Sequence, residues 1–401
     1  MAYGTYSGDI WALVGVYLDV ERRQNKHQKV KREWTRGFDR TLLILTLVMM
    51  VLGLVAVAEA SSPQALSTFS DPFYFVKQQL MWAGLGVVVM VVASFVPYGF
   101  WRKMALPIFG VSILCLVAVL VPGVGVRLLG ARRWISVGGI GFQPSELVKL
   151  TMIIFLARLL ELEKPYWWSV VIIGLVAGLI MLQPDLGTTI VVVGIGFGQL
   201  FVGGMSLVLM GLLGVMGVGL GFLMVMFSDY RRARLTTFLE SSTDPQGTSY
   251  HIRQILIALG SGGMFGVGLG RSRQKHLFLP ETATDSVFAV VGEETGFLGA
   301  GLVVILFSVL ILRMFKVAVR APDKFSSVLA AGIAIWLGSQ GVVNLAAMVS
   351  LVPLTGIPLP FFSYGGSSLT MALMSVGILL NISKHEKNEA KIERRVRGRK
   401  V

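Results

Sequence analysis

The run LLILTLVMMVLGLVAVA, residues 42–58, holds seventeen residues without a single charge. A helix at the surface of a soluble protein needs a polar face, and this run has none. It approaches the roughly 20 residues needed to cross about 30 Å of hydrocarbon. Similar segments recur along the chain, and ten in all read as helices, at about 41–60, 77–96, 104–121, 144–160, 167–182, 187–203, 206–227, 287–312, 326–350 and 367–382. Composition agrees: the 401 residues are 54% hydrophobic and 14% charged, with a mean hydropathy of +0.73, whereas soluble domains carry about 25% charged residues. The expected fold class is an all-α integral membrane protein of about ten transmembrane helices.

An even number of spans places both termini on one side. The N-terminal arm, 1–40, carries Arg22, Arg23, Lys26, Lys29, Lys31, Arg32, Arg36 and Arg40, and the tail, 383–401, carries eight more lysines and arginines from Lys384 to Lys400. Lysine and arginine accumulate on the cytoplasmic side, so both ends are expected inside. The loops around Arg102 and Lys103, and from Arg313 to Lys324, fall inside on the same count, while SSPQALSTFSDPFY and LVPLTGIPLPFFSYGGSS, expected outside, hold neither residue type. The net charge of +14 therefore orients the chain and meets anionic lipid headgroups; nucleic acid is not the expected partner. Residues 41–382 read as one polytopic domain. No cleaved signal peptide is read, and Cys115 alone supports no disulfide framework.

Two expected outer loops break the charge rule. One is PGVGVRLLGARRWISVGGIGFQ, with Arg127, Arg132 and Arg133. The other is the large loop 228–286 between the seventh and eighth segments, with Arg231, Arg232, Arg234, Arg253, Arg271, Arg273 and Lys275. Arginine forks suit phosphate, so an anionic headgroup site and simple lipid anchoring both explain them. Within the large loop, HIRQILIALGSGGMFGVGLG is apolar and glycine-rich. It suits a backbone anion nest or close helix packing equally.

Carboxylates cluster just beyond it. Glu281 and Asp285 follow the basic run RSRQK, and Asp285 immediately precedes the eighth helix, where it reads as an N-terminal cap or as a general base. Glu293 and Glu294 lie two turns into that helix, where a charge facing lipid is costly, so they are expected to face protein. Glu146 and Lys149, three apart, suit a self-neutralising pair or a substrate cavity. Asp185 sits at an outer helix boundary after Pro184. His251 and His276 stand too far apart to form a metal set, and no Gly-Lys-Ser/Thr phosphate loop occurs.

The motifs GARRWI, QPSELVKL, QPDLGTT, ALGSGGMFGVGLGRSRQK, LPETATDSVFAVVGEETGFLG and PLPFFSYGGSS, in this order over residues 40–382, resemble the SEDS glycosyltransferases, the FtsW/RodA/SpoVE family, and most closely its FtsW/SpoVE branch. The resemblance implies an enzyme of the bacterial plasma membrane that polymerises lipid II into peptidoglycan strands at the outer face. It implies work with a class B penicillin-binding protein and other divisome proteins. The family's essential aspartate maps onto Asp285. Many members have a histidine two positions before it and a phenylalanine after it, where this chain has Ala283 and Ser286. The implied chemistry makes Asp285 the base for the acceptor hydroxyl. Arg132, Arg133, Arg271, Arg273 and Lys275 would stabilise the departing diphosphate, and Glu281, Glu293 and Glu294 would shape the cavity of Asp285. A divalent cation, Mg2+ or Mn2+, fits this scheme, although no residue pattern demands one. Alternatives from the residues are a lipid II flippase or transporter, an elongation polymerase of the RodA type, and an idle scaffold.

Overall fold

The computed structural model describes residues 37–128, 131–137, 140–227, 232, 250–276, 278–280 and 282–385. Both basic arms up to residue 36 and beyond residue 385 lie outside the described residues, as do Arg231, Arg234 and Glu281. A helix stands at each of the ten expected positions: α1 (Arg40–Phe69), α2 (Tyr74–Phe95), α3 (Tyr98–Ala118), α4 (Pro144–Glu161), α5 (Tyr166–Met181), α6 (Leu186–Val202), α7 (Leu207–Met226), α9 (Val287–Arg320), α10 (Lys324–Met348) and α11 (Gly366–Ser383). An eleventh, α8 (Tyr250–Ser261), lies within the large loop.

Polarity is arranged for a lipid solvent. α4 and α11 are buried along almost their whole length, and α10 along most of it. The surrounding helices turn large apolar side chains outward, such as Phe95 at 72%, Leu114 at 69% and Val208 at 76% exposure. Apolar exposure on this scale fits a hydrocarbon surround, in which helices also satisfy their own backbone groups. By length and hydropathy α1, α2, α3, α9, α10 and α11 each qualify as membrane spans; α5 and α6 are shorter apolar helices. The chain is a multi-pass membrane protein. α4 carries Glu146, Lys149, Arg158 and Glu161, a load that burial in protein makes tolerable and lipid would not.

The structure corrects the all-α expectation at the first arginine-rich loop. Strands β1 (Gly125–Leu128), β2 (Ala131–Val137) and β3 (Ile140–Phe142) form an antiparallel sheet in the order β1-β2-β3. The register pairs Leu128 with Ala131 and Val137 with Ile140, so each connection has two residues. Two-residue connections containing glycine between alternating runs are a strong hairpin signal. Here it is a short signal between two long helices, α3 and α4.

The second correction concerns α9, which is not continuous. Gly296 has φ 67° and ψ −168°, splitting the helix into 287–295 and 297–320. Only glycine adopts this backbone readily, and a Cβ there would lie 2.7 Å from Met264 O. The carbonyls freed by the break do not go unpaired. Val267 N and Gly268 N donate to Glu293 O and Glu294 O, at 3.0 and 3.1 Å, and Phe297 N donates to Gly263 O at 2.8 Å. The glycine-rich stretch after α8 therefore spends these amides on α9, the packing alternative rather than an anion nest.

One end of the bundle gathers the starts of α1, α3 and α10 with the ends of α4, α9 and α11. Arg102 binds Asp323 at 2.7 Å and Glu161 at 3.3 Å, Arg313 binds Asp39 at 2.7 Å, and Ser383 accepts from Asp39 N. Asp285 and the 351–365 loop belong to the opposite ends of α9, α10 and α11, and the 183–185 turn joins α5 to α6.

Candidate active site

The loop 351–365, rich in proline and glycine, is the hub. It buries Ile357, Leu359, Phe361 and Phe362. Three elements hold it. Gln79 of α2 donates to Ser363 O and accepts from Gly365 N; Gln340 of α10 donates to Pro358 O at 3.0 Å; Asn344 of α10 donates to Ile357 O at 2.8 Å. The start of α6 completes the set, because Gly187 leaves so little room that a Cβ would approach Thr355 and Ile357 to 2.8–2.9 Å.

Asp285 lies against this hub and is 7% exposed. Its carbonyl accepts from Asn344 Nδ2 at 3.1 Å, and its Oδ1 accepts from the Thr284 hydroxyl at 3.1 Å. The space a Cβ would fill at Gly356 is 4.0 Å from its Oδ2. Tyr364 N donates to Ala283 O, fixing the turn from the other side. The N-cap of α9 is Ser286, not Asp285. The carboxylate is thus nearly buried in a turn pinned at several backbone points, an arrangement that fits a group kept for chemistry.

Beneath the hub lies the Glu146–Lys149 pair. Lys149 Nζ is 2.7 Å from Glu146 Oε1 and 2.8 Å from Gln340 Oε1, and sits over the Trp336 ring. All are buried, and Gln340 carries the network to Pro358. The pair reaches the hub through this amide rather than lining an open cavity.

On the far side of Gly187, Asp185 caps α6 by accepting from Thr188 N. Arg133, on β2, donates to Gln183 O at 3.1 Å and to Pro184 O, with Asp185 Oδ2 at 3.9 Å from its Nε. One expected phosphate ligand is therefore engaged in docking the sheet onto the 183–185 turn, while Arg132 stays half-buried beside it. On its other side the first piece of α9 carries Glu293 and Glu294, two turns beyond Asp285. They do not face Asp285. Glu293 accepts from Ser272 Oγ, Arg273 N and Gln274 N, and Glu294 accepts from Ser272 N and Lys275 Nζ. Lys275 also meets Glu59 of α1 at 3.4 Å. The expected cavity-shaping carboxylates are instead a clasp on the loop, and Lys275 is buried within it. This leaves Arg271 and Arg273 exposed on the clasped segment, with Arg253 exposed on α8.

Sequence reasoning missed Glu59, Gln340, Asn344 and the His251–Ser286 contact at 2.9 Å. A lone carboxylate or amide in an apolar segment was the available signal for the first three. Among the described residues no cluster of three or more His, Cys, Asp or Glu is placed to hold a metal ion.

A polytopic helical bundle with a nearly buried aspartate at one end defines a multi-pass membrane protein with a candidate site at that end. Residues 39–388 match the FtsW/RodA/SpoVE family, described as cell cycle proteins, and the chain belongs to that family. It is 44% identical to stage V sporulation protein E of Bacillus subtilis, over 87% of this chain and 98% of that one. It is 39% identical to a probable peptidoglycan glycosyltransferase FtsW of a Geobacter species, over 88% and 99%. Among solved structures it resembles a chain of a peptidoglycan synthase complex that coordinates polymerization and crosslinking, with TM-score 0.73 and 30% identity over 88% and 100% of the two chains. The rod shape determining protein RodA of Thermus thermophilus gives TM-score 0.66 at 30% identity, over 88% and 98%.

Proposed function

We propose that this protein is a peptidoglycan glycosyltransferase that polymerises lipid II at the outer face of the bacterial plasma membrane, in cell division. In this reading the ten helices α1–α7 and α9–α11 span the membrane with both termini in the cytoplasm, and α8 with the 351–365 loop lies on the outer side. The observation that carries the reading is Asp285, nearly buried and fixed by Asn344, Thr284 and Tyr364 N.

In the proposed reaction Asp285 takes the proton from the 4-hydroxyl of the acceptor N-acetylglucosamine. The oxygen attacks the anomeric carbon of the growing strand, and the bond to undecaprenyl diphosphate breaks with the electron pair leaving on the diphosphate. Arg271, Arg273 and Arg132 are the candidates to meet that charge, being less engaged than Arg133 and Lys275. Mg2+ or Mn2+ would add its charge at the diphosphate. A class B penicillin-binding protein would cross-link the strands, and other divisome proteins would recruit the pair. The test is polymerisation from labelled lipid II by the protein with its cognate class B partner. Wild type makes polymer and Asp285→Asn makes none; equal polymer from both removes Asp285 from the mechanism.

A further inference from the structure

His251 stands at the start of α8, a helix that lies on the first piece of α9. At one end of the seam Leu259 covers Gly292, and Gly262 meets the backbone of Gly292 and Glu293. At the other end His251 Nε2 is 2.9 Å from the hydroxyl of Ser286. Ser286 is completely buried, adjoins Asp285 and is the N-cap of α9. A serine at this position ordinarily turns its hydroxyl back onto the amides of its own helix. Ser286 makes no such bond. Its hydroxyl points across to α8 instead, so α9 forgoes a capping bond and α8 gains a tie to the residue after Asp285.

The geometry points to His251 as a positioning residue for Asp285, acting through Ser286; this rests on the reading of Asp285 as the reacting base. The turn 283–286 is also held by Tyr364 N on the Ala283 carbonyl and by Asn344 on the Asp285 carbonyl, from the hub loop and α10. Both act on the backbone from the hub side. The His251 bond acts from the α8 side and sets the rotation of the turn about those two points. Small displacements of a reacting group cost large factors in rate, since the effective concentration gained by orientation is lost steeply.

The test uses the full-length protein with its cognate class B partner and labelled lipid II, with initial rates taken over a range of lipid II concentrations. His251→Ala and Ser286→Ala are each expected to lower kcat about tenfold and to leave KM within about threefold, the pattern of lost orientation rather than lost binding. The double variant is expected to be no slower than the worse single, because all three remove one bond. His251→Gln, whose carboxamide both donates and accepts near the position of Nε2, is expected to keep most of the wild-type kcat. Asp285→Asn, assayed alongside, separates the two claims. Polymer from Asp285→Asn overturns the reading of Asp285. An inactive Asp285→Asn with a fully active His251→Ala overturns the role of His251 alone. So do additive losses, or His251→Gln as slow as His251→Ala. Thermal unfolding is followed for each; if an alanine variant fails to fold, His251→Gln against His251→Phe decides by the same criterion.

Discussion

One carboxamide nitrogen, Asn344 Nδ2, serves two buried carbonyls, those of Asp285 and Ile357. Asn344→Leu keeps the volume and removes both bonds, at an expected cost of about 1–3 kcal/mol for each buried carbonyl that loses this donor. The variant should melt at lower temperature and polymerise more slowly even where it is fully folded. Lys149 poses a different question. Removing one partner of a buried ion pair typically costs about 3–5 kcal/mol, because the other charge stays buried alone, whereas neutralising both costs far less. Thermal unfolding should therefore rank Lys149→Met below the double variant Glu146→Gln/Lys149→Met. The pairing of Glu146 with Lys149 was legible, since three residues on a helix bring side chains together. Its link to Gln340, 191 positions away, was not, and neither was Asn344, because an amide in an apolar run signals a polar partner without saying which.

At the level of the element, the informative case is α9. Apolar residues resume on all sides after Gly296, so the pattern gives no reason to end a helix there. The break exists because the 263–268 backbone inserts there and takes the freed carbonyls. Gly296→Val puts a β-branched side chain at φ 67°, with an expected cost of about 1–3 kcal/mol in backbone strain. The Met264 backbone blocks it as well. The variant is expected to loosen α8 from α9, measured as faster proteolytic cleavage between residues 262 and 280 with the remaining helices intact. Glu293 and Glu294 follow the same logic: their burial in protein was expected, but the partner was the amides of 272–274 and Lys275 rather than a substrate cavity. The small sheet is written in its two-residue, glycine-bearing connections and alternating residues, a signal shorter than the apolar runs around it.

For the whole molecule, the end opposite Asp285 is tied by a charged network around Asp323. Burial pushes the Asp323 carboxyl up, but the Ser326 amide, the Arg102 guanidinium and the Ser326 hydroxyl together hold it below its ordinary 3.8. A carboxylate depressed in the folded state stabilises it above the unfolded value, and that contribution fades as pH falls below about 4. Unfolding measured from pH 6 to pH 3 should show a loss of stability that Asp323→Asn lacks. Cysteines introduced near Arg102 and near Arg271 should label from opposite sides of the membrane in sealed vesicles, the second from outside. Labelling of both from one side would refute the assignment of faces.

The sequence by itself determined that the chain lives in lipid, where ten of its helices run and which residues would be costly to leave unpartnered. Those properties are local: hydrocarbon thickness sets the length of a run, and desolvation acts on each charge where it stands. Only the tertiary structure decided what the costly residues do. Arg133 docks a sheet, Lys275 joins a clasp and Asn344 holds the Asp285 turn, because each partner comes from a distant part of the chain. Asp285 itself was visible as a carboxylate beside cations; its fixed, nearly buried position depends on α8, α10 and the 351–365 loop meeting around it.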